Sequence, residues 1–445
     1  MKRFVVLLMF VLISGLLYFS VAFAETKFDY GATLRLRQEI WDDVVDLGLA
    51  KPDRNFFRLR ISPWIKADFN QDTGLYLRLT TEPKYHLGPF KPNVPRNNDR
   101  LDEDELVIDS LYLDAKNVFG LPVDLRIGRQ DFLGPDTFGE GFLILDGTPG
   151  DGSRTFYFNA IKAKVKINPQ NSIDLVYISD PRKDIYLPSL YTPPDKKQLT
   201  ASNEQAFVIY SRNKLSQNFL IEPYYIYKRE AEMGSTPKLK LNTIGARAVL
   251  TIESWKMGGE FAHQFGEYTG GRDRTGNGGY IFVSRKYDNV SLKPEFDLRY
   301  IYLSGDDPNT TDHEGWDPLF SRNPYWNEVY IYHLPAETLK DSGPIPGYWT
   351  NLSILKFGVK LNFTQATNLN LSYQYLWAPE KTASTVPLFT NDSHNRGHVG
   401  TAILVHKFTK NLDGMLQFEF FSPEGFYADN TSTAKFFRWQ LMYRI

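Results

Sequence analysis

The chain has 445 residues, with 51 basic against 52 acidic side chains and no cysteine. That leaves no disulfide framework, and none of the basic excess that nucleic-acid binding requires. Aromatic residues are plentiful (32 Phe, 26 Tyr and 8 Trp) and no linker composition interrupts them. One continuous architecture therefore fits better than the two or three soluble domains that length alone suggests.

The first element reads as a leader. In MKRFVVLLMFVLISGLLYFSVAFA, Lys2 and Arg3 precede an uncharged run from Phe4 to Val21, and Ala22 and Ala24 bracket Phe23. This is the pattern of a secretory signal peptide, residues 1–24, leaving 25–445 as the exported unit; an uncleaved anchor is the alternative, because the run is long for a signal. With Lys2 and Arg3 gone, 49 basic residues face 52 acidic ones. No later apolar run approaches the roughly eighteen residues a spanning helix needs.

Alternating segments then predict eighteen strands, near residues 27–40, 54–69, 74–87, 105–117, 121–132, 154–168, 171–180, 203–214, 217–230, 239–253, 255–268, 278–288, 292–304, 350–363, 368–378, 396–409, 412–422 and 433–445. Short joins rich in Asn, Asp, Gly and Pro, such as NQDT (70–73), NPQN (168–171), TQATN (364–368) and TKNLD (409–413), alternate with long polar connections. The long ones include 86–105, 181–200 and the stretch from Ser304 to about Tyr348. Sorting by parity has no purpose in a soluble sandwich. It predicts an all-β fold, a transmembrane antiparallel β-barrel with short periplasmic turns and long extracellular loops. Outer-membrane lipid and lipopolysaccharide are then its surroundings.

The faces follow from period two. In ATLRLRQEI (32–40), Leu34, Leu36 and Ile40 oppose Arg35, Arg37 and Glu39. Arg58 and Arg60 alternate with Phe57, Leu59 and Ile61, and Arg78 with Leu75, Leu77 and Leu79. Asp124 and Arg126, then Lys162, Lys164 and Lys166, stand opposite Val, Leu and Ile, while Asp297 and Arg299, with Lys356 and Lys360, oppose mainly Phe, Leu and Tyr. An Arg or Lys at the midplane of such a barrel costs about 2–4 kcal/mol, so the charges are assigned to the lumen and the apolar side chains to lipid. On this face basic residues outnumber acidic ones, and the bore is expected to be too wide for side chains to fill and to hold water. Trp41, Trp64, Trp349, Trp377 and Trp439 fall near strand ends, where interfacial girdles sit. The alternative for any single strand is a soluble sheet with a leucine core.

No catalytic constellation emerges, and no cofactor or metal site is expected. His394 and His398 lack companion ligands, and DEDE (102–105) reads as a solvated loop face. Asp306, Asp307, Asn309 and Asp312 could offer oxygens to calcium but lack the Glu-terminated twelve-residue loop of an EF-hand. GGRDRTGNGG (270–279) has no Lys-Ser/Thr end and reads as a mobile loop.

The sequence resembles the alginate export family of outer-membrane barrels. The likeness lies in DLRIGRQDF (124–132), DGSRTFYFNAIKAK (151–164), YIYLSGDDP (300–308) with WDPLF (316–320), and FFSPEGFY (420–427). GTAIL (400–404) and the terminal Ile445 depart from the usual pattern. The resemblance implies an eighteen-stranded barrel whose arginine-rich lumen passes an anionic polyuronate, supplied by periplasmic export partners. It adds Arg129, in the Gly-Arg-Gln match, to the pore contacts. A small-solute porin and a secreted all-β polysaccharide enzyme are the rival readings.

Overall fold

The computed structural model describes residues 26–89, 100–141, 143–145, 158–191, 199–200, 202–234, 236–320, 326–331, 349–382, 386–390 and 392–445. The leader and residues 154–157 of the sixth expected strand lie outside them. Eighteen long strands form one antiparallel sheet: β1 Lys27–Asp42, β2 Arg54–Asp68, β3 Thr73–Thr80, β4 Leu106–Ala115, β5 Val123–Gln130, β6 Phe158–Asn168, β7 Asn171–Asp180, β8 Glu204–Lys214, β9 Phe219–Glu230, β10 Leu239–Ile252, β11 Trp255–Tyr268, β12 Asp273–Lys286, β13 Glu295–Leu303, β14 Leu352–Asn362, β15 Thr367–Trp377, β16 Asn395–Lys407, β17 Leu412–Pro423 and β18 Ala434–Arg444. Each pairs with its neighbours in sequence. β1 pairs with β18 from Thr33↔Arg444 to Asp42↔Lys435, which closes the barrel and removes its edges.

The short turns are built by side chains that cap backbone N–H groups. Asn70 accepts from the amides of Asp72 and Thr73, both at 2.8 Å, and Asn168 from Gln170 at 2.9 Å. Thr364 and Thr409 do the same for Thr367 and Leu412, each at 3.0 Å. These local loops fix hairpin register at one end of the barrel.

The two faces are inverted relative to a soluble protein. Leu36, Leu59, Ile244, Phe261, Ile281, Phe357 and Leu416 are exposed on the outside, while Arg35, Arg37, Arg58, Arg60 and Arg438 are buried within. On the outer face Trp377 stacks on Tyr300 and Tyr375, and Trp439 packs against Phe57. Trp41, Trp64 and Trp349 do not join this girdle. Trp41 and Trp64 occupy inward positions of β1 and β2, and Trp349 is buried.

Several expectations are corrected. The interior is not left for water alone, because two connecting segments fold into it. Phe132, Phe138, Leu143, Ile144 and Leu145 follow β5, Trp316, Leu319 and Phe320 follow β13, and all are buried against inward residues of the wall. The two segments meet, with Leu145 bridging Phe320. Residues 273–279 are strand, since β12 begins at Asp273; Gly278 leaves room for Trp316, whose indole would lie 2.6 Å from a Cβ there. The join 269–272 is correspondingly short, the exception among the long connections. The third expected strand breaks after Thr80 and resumes at Lys84–His86 beyond Pro83, which lacks a ladder donor. Nor is the DEDE run wholly a solvated face: Asp104 and Glu105 are buried, and the Asp104 carboxylate accepts from the Glu82 amide at 3.0 Å.

Candidate functional site

The β1–β2 ladder sets Arg35 opposite Arg60 and Arg37 opposite Arg58. Like charges so placed repel. Carboxylates therefore have to stand among them. Glu39, fully buried on β1, lies 3.3 Å from Arg58, 2.8 Å from Arg438 on β18 and 3.7 Å from Arg37. Glu82, beyond β3, lies 2.5 Å from Arg35 and 3.4 Å from Arg58. Arg37 also donates to Gln440 at 2.6 Å, and Arg438 reaches Glu328 at 2.5 Å.

The wall continues through β3 to β5. Arg78 donates to Asp109 at 2.8 Å and to Asp131 at 2.9 Å. Beside it the inward rings of Trp64, Tyr76 and Tyr112 stack at 5.9 and 5.0 Å, and the Arg126 guanidinium caps the row 4.2 Å from the Tyr112 ring. Arg126 holds Asp114 through two bonds of 2.7 and 3.0 Å, the fork geometry that guanidinium and carboxylate favour.

Arg129 is placed differently from a solute contact. Gly128 has φ +130°, and a Cβ there would lie 2.2 Å from the Leu111 carbonyl oxygen. The glycine lets β5 press against β4, and the next residue is sunk into the structure. Arg129 donates to Asn159 at 3.0 Å, to the Ile108 carbonyl at 2.8 Å and to Asp184 at 2.7 Å, with its side chain fully covered.

On β6, Lys162 and Lys164 reach one carboxylate, Asp136, at 2.8 and 2.9 Å. Asp136 belongs to the inward segment after β5. Burial disfavours its ionisation, but the two ammonium groups override that and hold its carboxyl below the ordinary range. Arg212 on β8 donates to the Thr137 carbonyl at 2.9 Å and pairs with Asp174. Further round, Arg299 lies 2.5 Å from Glu140 of the same segment, and Arg247 on β10 lies 2.5 Å from Glu222 and 3.9 Å from Glu140. Lys356 and Lys360 are half-buried on β14, opposite Arg299 and Glu295.

Alternation thus finds the inward position of every strand candidate, but the loop-borne acids Glu82, Asp131, Asp136 and Glu140 have no such period. They balance much of the basic excess read from the strands. Arg212, Arg247 and Arg438 were missed, although they occupy the same alternating positions; Arg438 sits between Phe437 and Trp439.

His394 and His398 are not brought to a common ligand. His394 contacts the Ala378 carbonyl at 2.9 Å, while His398 contacts Glu424 at 2.8 Å and stacks on Tyr373. Asp306 is engaged by the Glu314 amide at 2.7 Å. In that loop His313 is pushed down to about 2 by burial and by Arg274 and Arg272, so its Nδ1 accepts from Arg274 at 3.0 Å rather than forming an ion pair with Asp306. Among the described residues the converging carboxylates are Asp42, Asp43 and Asp53, outside that loop.

A closed barrel with an apolar exterior and a charged interior defines an outer-membrane channel. The fold agrees with solved porins: a BenF-like porin from Pseudomonas fluorescens Pf-5 (TM-score 0.59, 11% identity, 95% of this chain and 100% of that one) and OccAB4 of Acinetobacter baumannii (0.59, 11%, 96% and 99%). OccK2 (OpdF) of Pseudomonas aeruginosa is similar (0.56, 12%, 95% and 98%). No curated protein matches in sequence. The alginate export model matches residues 26–384, and the chain belongs to that family, a β-barrel of the bacterial outer membrane.

Proposed function

We propose that the channel passes anionic saccharides passively, foremost a polyuronate of the alginate type, along a lumen whose exchangeable charges are cationic. The observation that carries this reading is the facing of Arg35 with Arg60 and of Arg37 with Arg58. Packing does not call for two adjacent like-charge pairs, which destabilise a ladder. Recognition of carboxylates does, because guanidinium forks bind them in pairs, and several modest contacts in series attract a polymer without trapping it. Lys162, Lys164, Arg299, Lys356 and Lys360 extend the series. Arg129, fully engaged, is left out of it. A periplasmic partner would deliver the polymer.

A small-solute porin is the second reading, favoured by the inward aromatic segments, which narrow the barrel. Efflux of labelled oligosaccharides from proteoliposomes separates the two. Faster efflux of an oligouronate than of a neutral oligosaccharide of equal length supports polyuronate passage; equal rates support the small-solute porin.

A further inference from the structure

The described part of the segment after β5 lies inside the barrel, and its Asp136 and Glu140 sit against wall cations most of which already own another acid. Lys162 is 2.8 Å from Asp136 and 3.6 Å from Asp174. Arg126 holds Asp114 at 2.7 Å and has Asp136 at 3.9 Å. Arg247 holds Glu222 at 2.5 Å and has Glu140 at 3.9 Å, while Arg299 has Glu140 at 2.5 Å and Asp297 at 3.8 Å. Accessibility separates the partners of Lys162 and Arg247, though not those of Arg126 and Arg299, whose wall acids Asp114 and Asp297 are 28% and 30% exposed. Asp174 on β7 is fully covered and Glu222 on β9 nearly so, whereas the Asp136 and Glu140 side chains are 23% and 14% exposed.

We propose that Lys162 with Lys164, and Arg247 with Arg299, are two carboxylate-binding cradles now filled by the protein's own Asp136 and Glu140, which solute carboxylates displace in transit. This rests on the polyuronate reading above. Displacement needs only the side chains to swing. Phe132 and Phe138 anchor the segment in the buried cluster, and the Gly139 amide donates to the Tyr210 hydroxyl at 2.9 Å. The exchange is one carboxylate for another, so neither side strands a buried cation, the outcome that makes breaking a buried pair costly. The wall acids stay in place and keep the cradles from binding too tightly.

The test is single-channel recording of the refolded chain in planar bilayers, comparing wild type with the Asp136→Asn/Glu140→Gln double variant and with Asp124→Asn as a control acid facing Lys166. Without its internal competitors, the double variant should become more anion-selective in a chloride gradient. Its Kd for block by oligouronate should fall about tenfold, the effect of losing one charged hydrogen bond to a competitor. The control should match wild type. Oligouronate block of wild type and double variant at equal Kd, with equal selectivity, overturns the inference and leaves the proposed function standing. Gain of chloride selectivity without oligouronate block of either protein keeps the cradles and removes the proposed function. Should the double variant not fold, the single variants Asp136→Asn and Glu140→Gln are recorded in the same way: tighter oligouronate block in either supports displacement, and block unchanged from wild type in both overturns it.

Discussion

Arg37 and Arg58 face each other directly across the β1–β2 ladder, and one buried carboxylate, Glu39, lies within 3.7 Å of the first and 3.3 Å of the second. Glu39 also serves Arg438 across the seam that closes the barrel, at 2.8 Å. A single acid therefore holds the first, second and last strands together. Glu39→Gln leaves three guanidinium groups with less compensation, and removing one partner of a buried pair costs about 3–5 kcal/mol. Its heat-induced unfolding, followed by gel mobility of the unboiled barrel, is expected well below that of wild type; an unchanged transition would contradict the shared role.

The face assignment predicts opposite outcomes for neighbours. Leu36 is exposed on the outer face and pairs with Leu59 and Leu441. Leu36→Arg should cost about 2–4 kcal/mol near the midplane and lower the folded yield in lipid vesicles. Arg37→Gln should assemble with a clearly higher yield, since it relieves the repulsion with Arg58. Equal yields would count against the assignment.

Gly128→Ala forces a Cβ toward the Leu111 carbonyl at a φ of +130°. Strain of this kind costs about 1–3 kcal/mol before the clash is added. The variant should lose thermal stability and loosen the Arg129 clamp on Asp184, readable as faster proteolysis of the connection after β7.

Acidity should not release the inward segment under ordinary conditions. The Asp136 carboxyl is held below its ordinary value of 3.8, so its contacts are fully present above that value and are lost only as pH falls through the depressed one. Conductance should therefore stay level from about pH 8 to pH 5. A step in that window, absent in Asp136→Asn, would contradict the docking described here.

The strands were legible because each carries its own signal: ATLRLRQEI and NAIKAKVKI alternate strictly, and capping residues such as Asn70 and Asn168 mark the turns. What filled the barrel was not. Phe138, Ile144 and Trp316 lie in connections with no period, and nothing local tells an apolar loop residue whether it turns inward or outward. Asp104 and Glu105 misled for the same reason. An acidic run looks solvated until the chain that covers it is known, here Glu82 just beyond β3. The glycines of 270–279 looked like flexibility, yet Gly278 serves the close approach of Trp316.

The most direct test of the central claim is the current through single refolded channels while polyuronate is added to one side. Guanidinium recognition of carboxylates predicts concentration-dependent block that a neutral polysaccharide of equal length does not produce, and that weakens when Arg35 and Arg37 are both replaced by glutamine in folded barrels. Equal block by both polymers, or none by either, would contradict it.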